Sequence, residues 1–175
     1  AAEILGLPIE VLKIVTCHLG NGSSVDAIAG GKSIETSMGF TPLDGVIMGT
    51  RCGSVDPSAV TFVANKLGLT PNEMSDYMNK KSGFLGISGI SSDNRDITSA
   101  AEHGDHKAQL AGEMLRYEIK KFIGSYAAAM GGVDAIIFTA GVGENDKGIR
   151  AMVCDGLEYM GVKVDPEKNN CRGKE

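Results

Sequence analysis

The chain has no tryptophan, and aromatics make up only 5% of it. A surface that stacks successive nucleic-acid bases needs more of them, so a base-stacking platform is not expected. Positive charge is scarce as well. Lys and Arg number 17 against 22 Asp and Glu, for a net charge of −5. No basic field exists to hold a polyanion, and nucleic acid is not an expected partner. No apolar run approaches the length that spans a bilayer, and no leader segment is seen, so no membrane partner is expected. The four cysteines, Cys17, Cys52, Cys154 and Cys171, form no C-x-x-C pair. Zinc and thioredoxin-like readings are therefore weak. The sequence reads as a reduced, cytoplasmic protein whose cysteines are mostly small buried residues.

What is present is glycine, 24 residues of it, gathered at turns rather than in a repeat. With 42% hydrophobic residues over 175 positions, the chain can bury a real core and reads as a single domain over 1–175. Its ends look cut. AAEILGLPIEVLK reads as the tail of a helix already under way, and CRGKE closes no element. A fragment of a longer protein is the expectation.

One stretch organises the rest: TCHLGNGSSV, residues 16–25. An apolar strand over Leu12–Leu19 enters a turn at Gly20, Asn21 and Gly22. Gly and Asn tolerate positive φ, and such a turn can aim backbone N–H groups together at an anion. His18, Ser23 and Ser24 add side-chain donors. On these residues alone, a phosphate-binding hairpin and an ordinary two-residue β-turn both remain open. Strands over Val25–Gly30 and Lys32–Ser37 complete a meander. Met38–Val55 is irregular and glycine-punctuated, the kind of long loop that usually carries function. Arg51 is its one cation, in GTRCGS; the alternatives are an anion ligand or a solvated loop residue.

Asp56-Pro57 opens a helix closed by Gly68, and Thr70-Pro71-Asn72-Glu73 is a capping box opening a second one to about Asn79. A further Gly/Ser-rich loop ends in Asp93, Asn94, Arg95 and Asp96. A short helical turn is expected near Thr98–Glu102. The longest helix is expected over Asp105–Met130, where Leu115, Ile119, Phe122, Ile123, Tyr126 and Met130 recur at helical spacing as core. DAIIFT reads as a strand of the parallel, fully buried kind. TAGVGEN then turns into a helix over about 146–160, and a last strand is expected near Val162–Val164. A meander followed by alternating helices and strands makes the fold class α/β with a mixed sheet.

TAGVGEN sits at the carboxyl end of a strand, where ligands of α/β sheets bind. Glu144 there faces a ribose hydroxyl or complements the helix dipole. Two phosphate-loop classes fail on spacing. A Walker A loop ending at Gly31-Lys32-Ser33 would have Asp26 in place of its first glycine. A G-x-G-x-x-G turn would need glycine at Asp146 or Val25. His103 and His106 read as solvated surface, with no further ligands nearby for a metal.

CHLGNGSSV, TPLDGVIMGTRCGSVDP, SGISSDNRD and FTAGVGEND, in this order, resemble the acetate kinase family across essentially the whole chain. Propionate and butyrate kinases share much of this signature. The resemblance implies an actin-like ATPase (ribonuclease H-like) domain, the carboxyl-terminal lobe of a two-lobed kinase. It implies reversible phosphoryl transfer between ATP and acetate. His18, Leu19, Gly20, Asn21 and Gly22 would hold the nucleotide phosphates. Asp93, Asn94 and Arg95 would contact the adenosine. Gly141, Val142, Gly143, Glu144 and Asn145 would pack against adenosine and its adjoining phosphate. Arg51 would bind the acyl carboxylate and stabilise the transferring phosphoryl group from a flexible loop. Mg²⁺ and the catalytic carboxylate would be supplied from outside this chain, so the piece alone is expected to be inactive. A homodimer is implied. A non-kinase, actin-like nucleotide-binding module is the competing reading.

Overall fold

A computed structural model describes residues 1–170. These divide into two compact units, one built from residues 1–37 and 116–170, the other from residues 38–115.

The first unit opens with the short helix α1 (Ala2–Leu5), ended by Gly6 in the left-handed conformation, and a 3-10 turn over Ile9–Val11. The meander follows as β1 (Lys13–Leu19), β2 (Ser23–Ala29) and β3 (Lys32–Thr36). Alternation along β1 and β2 puts Val15, Cys17, Leu19, Val25 and Ala27 on one deeply buried face. The strand order among the described residues is β3-β2-β1-β4. β1 pairs antiparallel with β2, His18 opposite Ser24, and parallel with β4 (Ala135–Thr139), His18 opposite Thr139. A mixed sheet led by a meander is thus what the chain forms. DAIIFT is parallel as expected but not fully buried: all five residues of β4 are half-buried. It is an edge strand among the described residues, so it lacks cover on its outer side.

The second unit holds the irregular stretch after β3, then α2 (Pro57–Leu67), α3 (Pro71–Lys80), α4 (Gly83–Ser88) and α5 (Asn94–Glu102). The Asp56 carboxylate accepts from Ser58 N–H at 2.8 Å, and Gly68 closes α2 with φ 65°. The Thr70–Glu73 capping box is fully made. The stretch 82–96, expected to be loop, contains α4. Its glycines disguised a helix whose first N–H groups find partners far along the chain, Phe84 N–H on Met48 O and Leu85 N–H on Gly49 O. The helix expected near Thr98 begins earlier, because Asp93 caps it.

α6 (His106–Met130) runs on into the first unit. Of the stripe read from sequence, Leu115, Ile119, Ile123, Tyr126 and Met130 are buried and Phe122 is half-buried. After β4 come α7 (Ala140–Asn145) and α8 (Lys147–Cys154), then a 3-10 turn over Glu158–Met160 and α9 (Pro166–Asn169). The helix expected over 146–160 stops at Cys154, since Asp155 leaves the helical region and Gly156 adopts φ 77°. No ladder pairs Val162–Val164, so the last strand expected there is absent from the described residues.

Of the cysteines, Cys17 and Cys154 are buried and Cys52 is half-buried. Cys171 lies outside the described residues. Burial, with Cys154 nearby as the lesser cause, pushes the Cys17 thiol up to about 12, so it stays protonated and inert.

Candidate functional site

In the first unit, the parallel register of β1 and β4 puts both glycine turns at one end of the sheet. His18 and Thr139 stand opposite each other, and Nδ1 of His18 shares a 2.9 Å hydrogen bond with Oγ1 of Thr139. Just beyond, a Cβ placed on Gly20 would lie 3.7 Å from the Ala140 methyl. The hairpin is closed from inside. Gly20 N–H donates to Gly22 O at 3.1 Å and to Ser23 Oγ at 3.3 Å, and Ser23 Oγ–H donates back to Gly20 O. The Gly20 amide is therefore committed to the turn. Asn21 and His18 are exposed, whereas the Leu19 side chain is 1% exposed and belongs to the core.

The second turn is a helix from its first residue. Ala140 begins α7 with φ 64°, the one non-glycine residue of positive φ among those described. Such a conformation costs an L-residue roughly 1 kcal/mol or more. It is held by Glu144, whose carboxylate accepts the Ala140 N–H at 3.0 Å. The Glu144 side chain thus serves the helix N-terminus in this structure, as the dipole reading of that residue requires. Gly143 is buried where α7 crosses β1 and β4; a Cβ there would come within 3.3 Å of the Phe138 carbonyl carbon and 3.5 Å of Cys17 O. Asn145 Nδ2–H donates to Gly141 O at 2.9 Å, while Gly141 is exposed and Val142 half-buried.

Arg51 lies in the second unit. Its loop, expected to be flexible, is fastened. Val46, Ile47 and Met48 are at most 2% exposed. Met48 N–H donates to Arg51 O, Ser82 N–H to Thr50 O, Cys52 N–H to Met78 O, and Thr50 Oγ–H to Asn79 O. Gly83 sits so close that a Cβ there would fall 2.7 Å from Arg51 O and nearer still to Met48 O. The half-buried Arg51 side chain donates from Nη1 to Pro42 O at 3.2 Å and to Met48 Sδ at 3.4 Å. Among the described residues no carboxylate pairs with it. The guanidinium fork thus keeps its charge uncompensated, which suits a carboxylate or phosphate ligand.

Asp93, Asn94 and Arg95 follow α4 on a separate stretch. Asp93 caps α5 by accepting Arg95 N–H at 2.8 Å, and the Arg95 guanidinium forks onto the same carboxylate at 2.6 and 3.0 Å. These hydrogen bonds hold the Asp93 carboxyl down to about 2. Asp93 and Asn94 are half-buried and Arg95 is exposed. Their charges neutralise each other here.

An opening of about 480 Å³ beside β4 is lined by Ile136, Phe138, Arg150, Met160 and Lys168 among others, and by none of the residues nominated from sequence. The glycine turns do not form it. Sequence reasoning passed over Thr139, Ala140 and Arg150. A 121-residue separation hides the His18–Thr139 bond, and Arg150 reads as one more polar position on an amphipathic helix.

The sequence matches the Acetokinase family over residues 1–175. The chain belongs to that family. It is 58% identical to the acetate kinase of Methanosarcina thermophila, over all of this chain and 43% of that protein. It is 62% identical to the acetate kinase of Caldanaerobacter subterraneus subsp. tengcongensis, over 44% of that protein. The acetokinase chain thus spans less than half the length of the curated relatives it matches. The crystal structure of Porphyromonas gingivalis acetate kinase superposes at a TM-score of 0.95, with 49% identity over 99% of this chain and 44% of that one. A propionate kinase from Francisella tularensis subsp. tularensis superposes at 0.89, with 42% identity over 96% of this chain and 43% of that one.

Proposed function

We propose that this chain is the nucleotide-binding carboxyl-terminal lobe of an acetate kinase, which transfers the γ-phosphoryl group of ATP to acetate, reversibly, giving acetyl phosphate and ADP. The observation that carries it is the adjacency of the two glycine turns at the carboxyl ends of β1 and β4, with Gly20 beside Ala140. Family membership and the identity to curated acetate kinases support the same reading. The sheet order, an antiparallel meander with the fourth strand parallel to the first, suits an actin-like core.

In the transfer, an acetate oxygen attacks the γ-phosphorus while the bond to the ADP oxygen breaks in line. Such a reaction asks for positioning and charge stabilisation more than covalent chemistry. His18 to Gly22 hold phosphates, through Asn21 and backbone, because the Gly20 amide is committed and Leu19 is core. In the first unit, Gly141 to Asn145 receive the adenosine side; in the second, Asp93, Asn94 and Arg95 are the adenosine contacts that the family resemblance implies. An adenosine hydroxyl reaching Asp93 competes with the Arg95 fork for that carboxylate. Arg51 meets the acyl carboxylate and the charge growing on the phosphoryl oxygens. Phosphoryl transfer of this kind uses Mg²⁺. Among the described residues no three His, Cys, Asp or Glu side chains converge on a metal site. Its ligands, and the catalytic carboxylate, come from outside this chain. The full-length protein is a homodimer of the cytoplasm in this reading.

Hydroxamate trapping of acetyl phosphate from acetate and ATP tests the proposal in the full-length protein. The wild type is expected to turn over. Arg51→Ala is expected to slow kcat by about a thousandfold, as loss of a transition-state arginine does. An unaffected rate in Arg51→Ala would remove Arg51 from the mechanism. A wild type that uses propionate or butyrate in preference to acetate would move the chain to the related acyl kinases.

A further inference from the structure

α7 carries Gly141 to Asn145, yet it is only six residues long and begins on a strained Ala140. A helix that short does not hold its shape by itself. Its last carbonyls have no partners within the helix and need outside donors. Arg150, one turn into α8, supplies them. Its Nη1 donates to Gly143 O at 2.9 Å and to Glu144 O at 2.8 Å. The other side of the same guanidinium is anchored on the far end of the unit. Nε donates to Asn169 Oδ1 at 2.8 Å and Nη2 to Asn169 O at 2.7 Å. Asn169 is itself held, since its Nδ2 donates to Lys147 O at 2.9 Å. Lys147 Nζ also donates to Asn170 Oδ1 at 2.9 Å.

Four charged hydrogen bonds on one half-buried arginine exceed what a surface residue needs. Each is worth more than a neutral one, and the planar fork fixes direction as well as distance. A cation at the carboxyl end of α7 also suits the helix dipole. The strained first residue is held from within by Glu144, and the carboxyl end is held from outside by Arg150. Glu144 is thus fastened twice, by its side chain to Ala140 N–H and by its carbonyl to Arg150.

We propose that Arg150, anchored on Asn169, is a positioning residue that braces the α7 turn and so sets the affinity of its nucleotide subsite without touching the nucleotide. This rests on the reading of Gly141 to Asn145 as nucleotide contacts. The brace makes a specific demand: losing it should loosen residues 140–145 and weaken nucleotide, leaving the acyl substrate alone.

The test uses the full-length protein as wild type, Arg150→Lys, Arg150→Ala and Asn169→Ala. Calorimetric ADP binding, KM for ATP, KM for acetate, kcat and amide exchange over 140–145 are measured on each. Arg150→Ala is expected to raise KM for ATP and Kd for ADP about tenfold, the size of one charged hydrogen bond. KM for acetate should stay within about twofold, a span too small to count as a lost interaction. Amides 140–145 should exchange faster. Asn169→Ala, which keeps the arginine and removes only its anchor, should shift the same constants in the same direction by less. Arg150→Lys should recover part of the loss. The double variant should be no worse than Arg150→Ala. A folded Arg150→Ala or Asn169→Ala with unchanged exchange, or with acetate and ATP constants moved equally, overturns the brace. If Arg150→Ala does not fold, Asn169→Ala and Arg150→Lys decide by the same criteria. A wild type that does not bind ADP sinks the nucleotide reading instead, a result distinguishable from a wild type that binds and variants that do not change.

Discussion

The glycine turns of the first unit and the arginine loop of the second are both devoted to a charged ligand in the proposed function, but they are fixed by opposite means. The turns are continuations of strands. Once β1 and β4 pair in register, Gly20 and Ala140 arrive side by side, and only the last residues need extra fastening. The arginine loop continues no strand or helix. It is fixed by carbonyls and amides donated and accepted across 30 or so residues of chain, and by glycines that let backbones touch. A site at a strand end borrows its geometry from the sheet. A site in a loop has to be built bond by bond, and is correspondingly easy to break.

The difference can be broken most sharply at Gly83. It has φ 58° and no room for a Cβ, the nearest atoms being rigid backbone of Met48 and Arg51. Gly83→Ala is expected to destabilise by about 3–5 kcal/mol, in the range of strain combined with overpacking. Urea unfolding of the full-length protein measures it. A cost under about 1 kcal/mol would mean that the loop is soft after all. At Gly143, by contrast, a Cβ meets its nearest neighbour at 3.3 Å, tight but not impossible.

A gain rather than a loss is expected at Ala140. Ala140→Gly relieves the left-handed strain at the start of α7 and should stabilise by about 0.5 kcal/mol, the strain relief being partly offset by glycine entropy. Thermal unfolding would register this as a small rise in Tm. A fall in Tm would show that the strain is not carried by this residue.

The smallest effect is electrostatic. The Asp93 carboxyl is depressed to about 2 by hydrogen bonds from Arg95. Its folded value lies below its unfolded one, so its contribution to stability is present above the ordinary carboxylate range and is lost as pH falls through about 2. Arg95 is solvent-exposed, so the pair contributes little at neutral pH. A carbon-detected NMR titration should place Asp93 near 2 in the wild type and return it toward 3.8 in Arg95→Ala. An unchanged midpoint would remove the fork as the cause.

How far the sequence speaks follows the same division. The meander, α2 with its Asp56 cap, α3 with its Thr70–Glu73 box and the buried stripe of α6 are written in local signals, and the structure contains all of them. α4 was hidden because Gly83, Gly86 and Gly89 read as loop, and its first N–H partners are Met48 O and Gly49 O, outside any local window. The halting of α8 at Cys154 was hidden behind an apolar periodicity that ran on past Gly156. The candidate phosphate turns were visible as glycine clusters, but their adjacency depends on a strand pairing across 121 residues. The firmness of the Arg51 loop is not legible in the sequence, where glycine reads as freedom; at Gly83 glycine is instead what permits a close contact. Arg150 carried no local signal, since its partners are backbone carbonyls on α7 and the end of α9.

The proposed function requires one nucleotide to lie against both glycine turns. A crystal structure of the full-length protein with a non-hydrolysable ATP analogue tests this. The predicted result is a single nucleotide with phosphates within hydrogen-bond reach of Asn21 and the Gly22 backbone, and with its adenosine side against Gly141 to Asn145. A nucleotide bound to only one of the two turns, or to neither, would contradict it.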